Sequence, residues 1–469
     1  MKARSLSTIL TILVAVAALV GSANADETSD FLADIHAKAG KAVGQIEVTV
    51  NLPNAGKQSL TGIGVCIDSN KGILLTTMLD RNVPVDNIES ITVTAPGLGA
   101  KSVSAKLLGI EPTAGLGYVQ VTGKHDFDSV QFVADSKLKP GQQVVSAGVL
   151  TGMFNELTLG NAYVSTVVRV PSRRVMVTGG KLTALGSVVF NKEGKAIGLV
   201  MGQLALRYQL VARNRQPVNL SGVQETAFFT PVEEFVWSLR RIPSGGKVER
   251  PGWLGINRFD GLTELQANMQ KIDVAGVVID DIIPNEPADN AGLKSRDVIV
   301  SLNGKPVEEL YNPDLTARNF TERLLRLEPG STATIDYVRD GKRDTTELKI
   351  EEMPSMPGEA PRYVDPRIGL GVREKVPMDR HLDKGGTADV DGLKVIGVMQ
   401  DSPAQRAGFA QEDVVTAING QKVKTTEDVK KVVDKAVESS PGSAIKFTIR
   451  RGDLNPMTLD VVPRVRRDG

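Results

Sequence analysis

One long internal repeat constrains the fold of this chain more than any other feature. Residues 286–307 and 402–423 share the pattern Pro-Ala-x-x-Ala-Gly, followed by Asp-Val, Asn-Gly and a valine, at an offset of 116 residues. The same offset aligns Leu-Gly-Ile at 254–256 with Leu-Gly-Val at 370–372. Self-similarity that holds register over such a length indicates one structural unit used twice. We therefore expect two copies of a small domain, called repeat one and repeat two, in the C-terminal half.

Length and composition set the outer limits. A chain of 469 residues is too long for a single core, so we expect two to four domains. Its 41% hydrophobic and 24% charged residues are typical of a globular protein. The net charge is +1 and no basic stripe with interleaved aromatic residues occurs, which argues against nucleic acid as a partner. We expect neither a cofactor nor a metal site.

The N-terminus has the pattern of a secretory signal peptide. Lys2 and Arg4 precede an apolar run over 6–20, and Ala-Asn-Ala at 23–25 offers a small-residue cleavage site before Asp26. The alternative is an uncleaved membrane anchor, for which the run is short. We expect a signal peptide over 1–25 and a periplasmic or otherwise extracytoplasmic mature protein. The only cysteine, Cys66, lies in an apolar strand-like run and is expected in a core.

Proline and glycine mark the domain boundaries. Residues 243–246 and 251–252 end a large N-terminal region, and four prolines crowd the segment between the repeats. We expect an N-terminal domain over 26–242, repeat one over 250–353, a proline-rich linker over 354–365, and repeat two over 366–465.

Each repeat combines a glycine turn, a short strand and one amphipathic helix, and it ends with Pro-Gly-Ser and two alternating strands. Apolar residues recur at helical spacing, which gives each predicted helix one apolar face. These residues are Phe320, Leu324 and Leu327 in repeat one and Val429, Val432, Val433 and Ala436 in repeat two.

This unit resembles the PDZ domain in the arrangement found in bacterial periplasmic proteases. The resemblance implies that the glycine turn holds a peptide's terminal carboxylate and that the next strand pairs with an extended peptide. Repeat one is expected to be the main binder, because Trp253 adds apolar area beside its turn. The alternative is that the glycines only serve turns and the repeats are spacers. The predicted peptide-binding residues are Trp253, Leu254, Gly255, Ile256, Phe320 and Leu324 in repeat one and Leu370, Gly371, Val372, Val429 and Val433 in repeat two.

The N-terminal region consists of short apolar runs broken by glycine over 43–240, which is typical of an all-β barrel or sandwich. Gly-Ile-Gly-Val at 62–65, Ala-Asp-Ser at 134–136 and Val-Val-Phe-Asn at 188–191 stand ahead of PDZ-like repeats. Together they resemble the HtrA/DegP family of periplasmic serine endopeptidases. The resemblance implies a mainly β chain, in which a trypsin-like double β-barrel precedes two α+β PDZ domains.

The same resemblance locates the family's catalytic triad, and none of its three residues is present. Leu79 stands in the position of the histidine, Gly115 in that of the aspartate, and Leu185 in that of the serine. Thr183 and Leu185 also replace residues that shape the oxyanion loop. No position carries an acid, a base or a nucleophile, so we expect an inactive homologue, a pseudoprotease.

An active site in another register is the competing hypothesis. Ser187 is the nearest hydroxyl and Lys181 the nearest basic group, although nothing in the sequence favours a Ser–Lys pair. A serine nucleophile requires a base within hydrogen-bonding reach. The three histidines, His36, His125 and His381, stand outside the required setting and are expected at the surface.

The expected function is binding of extended or unfolded polypeptides and protein C-termini, as an adaptor, a chaperone or a regulatory subunit of an active HtrA-like relative. The alternative is an active serine endopeptidase with a non-standard catalytic site. The resemblance also implies a homo-oligomer built from trimers. The sequence alone does not distinguish an adaptor from a regulatory subunit.

Overall fold

The structure, a computed structural model, describes residues 29–464 except 53–55, 81–82, 84, 97–100, 136–137, 152–154, 212–216 and 384–385, and within 203–227 it describes the backbone alone. The predicted signal peptide over 1–25 lies outside the described residues, as does the C-terminal end of repeat two at 465. The chain divides into two compact units, Met1–Glu352 and Met353–Gly469.

The first unit begins with helix α1, described over 29–40, and a closed β-barrel. The strand order is β5-β4-β1-β2-β3-β6, and β6 pairs back with β5 to close the barrel. A 3-10 turn, Val85–Asn87, precedes β4. The strands are β1 Val43–Leu52, β2 Gly56–Asp68, β3 Ile73–Thr76, β4 Ile88–Thr94, β5 Ser102–Glu111 and β6 Leu116–Val121.

A second barrel follows in the same unit. Its order is β11-β10-β7-β8-β9-β13, closed by pairing of β11 with β13, and β12 extends the sheet beyond β13. A 3-10 turn, Val232–Glu234, and helix α2, Val236–Arg240, end this region. The strands are β7 Gln143–Val149, β8 Leu157–Arg169, β9 Arg173–Thr178, β10 Val188–Asn191, β11 Ala196–Leu199, β12 Gln203–Val211 and β13 Pro217–Pro231.

Three clusters of buried apolar residues hold the two barrels. Each barrel has an interior cluster, centred on residues such as Leu74 in the first and Val189 in the second. A third cluster lies where the barrels meet and includes Ile63, Tyr118 and Val188. The predicted mainly β class and double barrel are confirmed. Cys66 is fully buried, as expected, and burial raises the pKa of its thiol to about 12.

Repeat one is an antiparallel sheet whose buried apolar residues form two clusters. The order is β16-β17-β18-β20-β21, with β19 beside β18, while β15 pairs with β22 and β14 runs parallel to β5 of the first barrel. The elements are β14 Lys247–Val248, β15 Gly252–Trp253, β16 Ile256–Gly261, α3 Glu264–Gln270, β17 Val277–Ile282, α4 Pro287–Asn290, β18 Val298–Leu302, β19 Lys305–Pro306, α5 Pro313–Leu325, β20 Thr332–Arg339, β21 Lys342–Lys349 and β22 Glu351–Glu352.

Repeat two forms the second unit with the same plan and one additional strand. Its order is β23-β24-β25-β26-β28-β29, with β27 beside β26. The elements are β23 Arg362–Asp365, β24 Leu370–Glu374, α6 Asp379–Leu382, β25 Leu393–Val398, α7 Pro403–Ala407, β26 Val414–Ile418, β27 Gln421–Lys422, α8 Thr426–Ser439, β28 Ile445–Arg450 and β29 Met457–Val461.

The two amphipathic helices are confirmed. On α5, Phe320 and Leu324 are buried, whereas Leu327 lies beyond the end of the helix. On α8, Val429, Val432 and Val433 are buried. Asn312 and Thr425 cap the first turns of α5 and α8 with their side-chain oxygens, which explains why each helix begins where it does.

The segment predicted as a linker, 354–365, is not a linker throughout. Its last residues, Arg362–Asp365, form β23, which pairs with β24. Proline argues against a central strand, but here Pro361 precedes β23 and Pro366 follows it, so neither has to donate within the ladder. The sheet of repeat two therefore begins before residue 366.

Candidate functional site

The three positions assigned to a triad lie on segments that contact one another where the barrels meet. Leu79 follows β3 and packs against Gly117 of β6, where a Cβ would lie 2.4 Å from the Cβ of Leu79. Gly115 immediately precedes β6. A Cβ at Gly186, next to Leu185, would lie 3.2 Å from the Thr77 hydroxyl oxygen. The fold thus brings these segments together, but at the three positions themselves the side chains are apolar or absent.

Leu79 and Leu185 have opposite environments. Leu79 has 0% exposure and belongs to the interior cluster of the first barrel. Leu185 is 49% exposed. Neither side chain can accept or donate a proton, and Gly115 has no side chain, so general acid–base chemistry has no group at these positions.

The carboxylate nearest in sequence to Gly115 is Glu111, and it is committed to a turn. Its oxygens accept hydrogen bonds from the backbone amides of Thr113 and Ala114, at 3.2 and 2.5 Å. Burial raises the pKa of this carboxyl and outweighs the hydrogen bonds, which act in the opposite direction. Glu111 therefore closes the turn that precedes β6.

The loop that carries Leu185 is attached to the interior of the second barrel. The amide of Thr183 donates to the hydroxyl oxygen of Ser146 at 2.8 Å, and the Thr183 hydroxyl donates to the same oxygen at 3.0 Å. Ser146 lies on β7 and is fully buried. In trypsin-type sites the oxyanion hole uses the amide of the nucleophile and that of the residue two positions earlier. Thr183 occupies that earlier position, and its amide is bonded inside the barrel.

Ser187, the alternative nucleophile, is fully buried. Within the described part of the chain its hydroxyl has no hydrogen-bond partner, and a Cβ at Gly148 would lie 2.1 Å from its oxygen. Lys181 is exposed, so it does not supply a base to this buried hydroxyl.

The three histidines lie in different environments. His36 is exposed on α1, whereas His125 is half-buried beside Gly72 and Phe127, and His381 is half-buried on α6. All three retain solvent exposure, although ring packing and a short helix partly cover His125 and His381.

In repeat one the predicted turn at Gly255 is confirmed as a special backbone position. Gly255 has φ +77°, and a Cβ would lie 2.2 Å from the Cβ of Glu286. Two carbonyls fix the turn, since Leu254 accepts from Ala288 and Gly255 accepts from Ile283, each at 2.8 Å. Only glycine fits such a left-handed, closely approached position.

In repeat two the equivalent turn is at Gly369, not at Gly371. Gly369 has φ +71°, and a Cβ would lie 2.2 Å from the Cβ of Ser402. Ile368 accepts from Ala404 and Gly369 from Met399, each at 2.9 Å, which repeats the pattern of repeat one. The predicted alignment of 254–256 with 370–372 is therefore wrong by two residues. Gly371 lies inside β24, where a Cβ would meet ordinary contacts of 3.5 Å.

The side chains predicted to line the peptide grooves are buried. Trp253 lies opposite Glu351 in the β15–β22 pair and is 7% exposed, so little of its predicted contact area remains. In repeat one, α5 packs directly on β16, where the rings of Phe259 and Phe320 lie 5.2 Å apart, edge to face. The other buried members are Leu254, Ile256 and Leu324 in repeat one and Leu370, Val372, Val429 and Val433 in repeat two.

Comparisons with known proteins agree with this architecture. The family model "Trypsin-like peptidase domain" matches residues 62–199, and the model "PDZ domain" matches 252–350 and 366–461. The probable periplasmic serine endoprotease DegP-like of Rhizobium meliloti is 26% identical over 73% of this chain, which spans 65% of that relative's length. The periplasmic serine endoprotease DegP of Salmonella typhimurium is 26% identical over 85% of this chain and 77% of its own.

Solved structures show the same fold. HtrA-type protease AlgW with decapeptide has a TM-score of 0.50 and 18% identity, over 69% of this chain and 99% of that chain. AlgW with tripeptide has a TM-score of 0.51 and 20% identity, over 70% and 98%. The chain is thus similar to HtrA/DegP proteins and combines a trypsin-type fold with two PDZ domains.

In this HtrA/DegP-like chain, polar contacts join the first PDZ domain to the second barrel. On α5, Asn319 donates to the carbonyl of Pro171 at 3.0 Å, and Glu322 accepts from Ser172. Arg326 bonds to Glu234 at 3.1 Å with both side chains largely buried. Helix α5 of the first PDZ domain is thus fixed to the barrel. No described helix combines the length and apolar character that a membrane span needs.

Sequence reasoning predicted the triad positions but missed Ser146. A serine inside an alternating strand gives no signal of its own, because its importance depends on the loop that folds over it. The hydrogen bond to Thr183 becomes visible only in three dimensions.

Proposed function

We propose that this HtrA/DegP-like chain is a pseudoprotease that binds extended polypeptides or protein C-termini through its PDZ domains. The observation that carries the proposal is the loop around Leu185, which presents an apolar side chain where a nucleophile is required and directs the Thr183 amide to Ser146. Hydrolysis of a peptide bond requires both an activated nucleophile and stabilisation of the oxyanion. This loop supplies neither.

The state of Ser187 supports the same proposal. A buried hydroxyl with no base beside it is not activated, since serine is hardly nucleophilic at its own pKa. The alternative, a serine endopeptidase with a non-standard site, would need Ser187 to become exposed and to meet a base. No observation favours that alternative.

The free edge of β16 supports peptide binding by the first PDZ domain. In the described sheet β16 pairs with β17 on one side only. An extended peptide can add to such an edge through its main chain, with the turn at Gly255 beside its terminal carboxylate. The AlgW structures named above were solved with a decapeptide and a tripeptide. The rings of Phe259 and Phe320 contact each other between β16 and α5, so we propose that peptide binding separates these two rings.

The setting is proposed from the relatives. Their names place them in the periplasm, and the N-terminal sequence has the pattern of a signal peptide, so we propose an extracytoplasmic location. The role is that of an adaptor, a chaperone or a regulatory subunit that assembles with an active HtrA-like relative. A trimer-based homo-oligomer belongs to the same proposal.

The catalytic part is tested with purified full-length protein. It should neither cleave unfolded casein nor react with a fluorophosphonate probe, while an active DegP run in parallel does both. Stoichiometric labelling that disappears in Ser187→Ala would overturn the pseudoprotease assignment.

The binding part is tested by titration of hydrophobic peptides with a free C-terminal carboxylate, using amidated peptides as controls. Gly255→Asp places a like charge beside the carboxylate and forces a side chain against Glu286. Each lost charge-assisted hydrogen bond is worth about 1.5–3 kcal/mol, so affinity should fall at least about tenfold. Equal binding of free-acid and amidated peptides, unchanged in Gly255→Asp, would mean that this turn does not recognise C-termini.

A further inference from the structure

The second PDZ domain has a strand at the edge that stays unpaired in the described sheet of the first. β23 runs antiparallel to β24, with Tyr363 opposite Val372 and Asp365 opposite Leu370. On its other side β24 pairs with β25, just as β16 pairs with β17. β23 therefore lies on the edge that corresponds to the free edge of β16, and a peptide added to a PDZ strand would require that edge.

The end of β23 is held as the end of a peptide would be. The amide of Gly369, in the glycine turn, donates to the carbonyl oxygen of Asp365 at 2.7 Å. The Asp365 carboxylate is fully buried and accepts from the backbone amide of Arg367 at 2.8 Å and from the Arg367 guanidinium at 2.6 Å. The amide of the glycine turn is thus already bonded to a carbonyl of β23, while Arg367 holds the Asp365 carboxylate.

The helix on the other side of the groove also contacts this strand. β23 lies against α8, and Arg367 bridges Asp365 to Asp434 of α8 with a second bond of 2.5 Å. Tyr363 packs on the apolar core that contains Val429 and Val433, and its hydroxyl bonds to Asp365 at 3.0 Å. β23 therefore fills the space between the binding strand and the helix.

The first PDZ domain uses its preceding segment differently. There Lys247–Val248 form β14, which pairs with β5 of the first barrel, and the Glu249 amide donates to Ile110 at 2.8 Å. Its equivalent segment is thus held by the barrel, and the edge of β16 stays free in the described sheet.

We propose that the second PDZ domain carries residues 362–365 in its own peptide groove as an intramolecular ligand, so that an outside peptide enters only after β23 is displaced. Only the binding assay for this inference depends on the proposed peptide-binding function. Occupation of the groove itself is tested without any peptide.

The first test is a disulfide between β23 and β24. Because Glu374 donates to Pro361, alternation along the ladder makes Val364 and Gly371 a non-hydrogen-bonded pair, whose Cα atoms come within about 4.5 Å. A Cβ at Gly371 lies 3.5 Å from Val364 Cγ2, which suits a disulfide. The full chain carrying Val364→Cys and Gly371→Cys should oxidise to one internal disulfide, while Val364→Cys alone should not. Two thiols that stay open to maleimide in the folded oxidised chain would overturn the proposal.

The second test measures the number of peptide sites per chain by titration calorimetry. The probe is the free-acid pentapeptide with the sequence of residues 361–365. By the same alternation the Tyr363 amide faces β24, so Tyr363→Pro removes a hydrogen bond between the two strands. The Val364 amide faces away from β24, so Val364→Pro is the control for introducing a proline without losing that bond. Tyr363→Pro should bind one more peptide per chain than the wild type, and Val364→Pro should not.

The outcomes separate this inference from the proposed function. If the wild-type chain already takes peptide at both PDZ domains, or if Tyr363→Pro gains no site, the second groove is not self-occupied. A wild-type chain that binds no peptide contradicts the proposed function alone, because the disulfide result stands without it.

Discussion

The backbone amide of Thr183 and the hydroxyl of Ser146 are joined by a 2.8 Å hydrogen bond that points into the second barrel. The shape of the loop at 183–187 is thereby set by a buried residue of β7. An oxyanion hole needs amides aimed at the place where a substrate oxygen lies. The barrel core and a catalytic loop would compete for the same donor.

Ser146 and Ser187 form a matched pair for testing this anchor, since both are fully buried serines. Ser146→Ala leaves the Thr183 amide without its acceptor and should lower the free energy of unfolding by about 1–2 kcal/mol. Ser187→Ala removes a hydroxyl that has no partner among the described residues and should be neutral or stabilising. Thermal unfolding of both variants checks the order, and equal losses would show that the Thr183 bond contributes nothing.

Restoring single triad residues should have unequal effects on stability and none on hydrolysis. Leu185→Ser changes a half-exposed side chain, so stability should change by no more than about 0.5 kcal/mol. Leu79→His buries an imidazole in an apolar interior and should cost about 1–3 kcal/mol. Neither supplies a complete acid–base pair, because triad residues act as a unit. Casein cleavage and unfolding midpoints are the measurements, and hydrolysis by Leu185→Ser alone would contradict this account.

Gly369 and Gly371 test which glycine forms the turn of the second PDZ domain. Gly369→Ala places a side chain at φ +71° and against Ser402. The free energy of unfolding should therefore fall by at least about 1–3 kcal/mol. Gly371→Ala meets only ordinary contacts in β24 and should cost much less. Denaturant unfolding of the full chain, followed by hydrogen exchange in the second unit, distinguishes the two. The reverse order would restore the alignment drawn from the sequence.

The hold on β23 should weaken in acid. Burial disfavours the charged form of Asp365, but hydrogen bonds from Arg367 and Tyr363 outweigh it and lower the pKa of this carboxyl. A lowered folded-state pKa gives stability that is present above the unfolded value of about 4 and is lost as pH falls through the folded value. The groups that face Asp365 are Arg367 and Tyr363, with Asp434 of α8 bound to the same guanidinium.

Amide exchange of Val372 measures this hold in the wild type and in Asp365→Asn. At neutral pH the variant should lose about tenfold or more in protection, since hydrogen bonds to a charged group are worth about 1.5–3 kcal/mol. The difference between the two proteins should shrink as the pH is lowered below about 4. A difference that is constant with pH would show that the charge of Asp365 does not hold the strand.

Much of the fold follows from local patterns in the sequence. Alternating apolar runs predicted the barrel strands, and helical spacing predicted the buried faces of α5 and α8, because both patterns are dictated by burial of neighbouring residues. The triad positions were predicted from short strings at fixed spacing and stay a prediction.

The remaining features depend on contacts between distant segments. Ile-Gly-Leu-Gly-Val at 368–372 offers two glycines for one turn, and only the bonds from Met399 and Ala404 decide between them. Likewise, a proline-rich segment predicts a linker as long as its partner strand is unknown. Residues 362–365 form a strand because they pair with the edge of β24 that faces away from β25. Burial of Leu79 was equally invisible, since it depends on the approach of Gly117.

Because β23 is joined covalently to β24, the concentration of a free peptide determines whether it can replace β23 in the groove. A ligand joined by a short turn acts at an effective concentration in the range of about millimolar. A free peptide of equal intrinsic affinity would have to reach that concentration to occupy half of the second PDZ domains. The second PDZ domain would thus bind C-termini only when they are abundant, while the first would bind them at much lower concentrations.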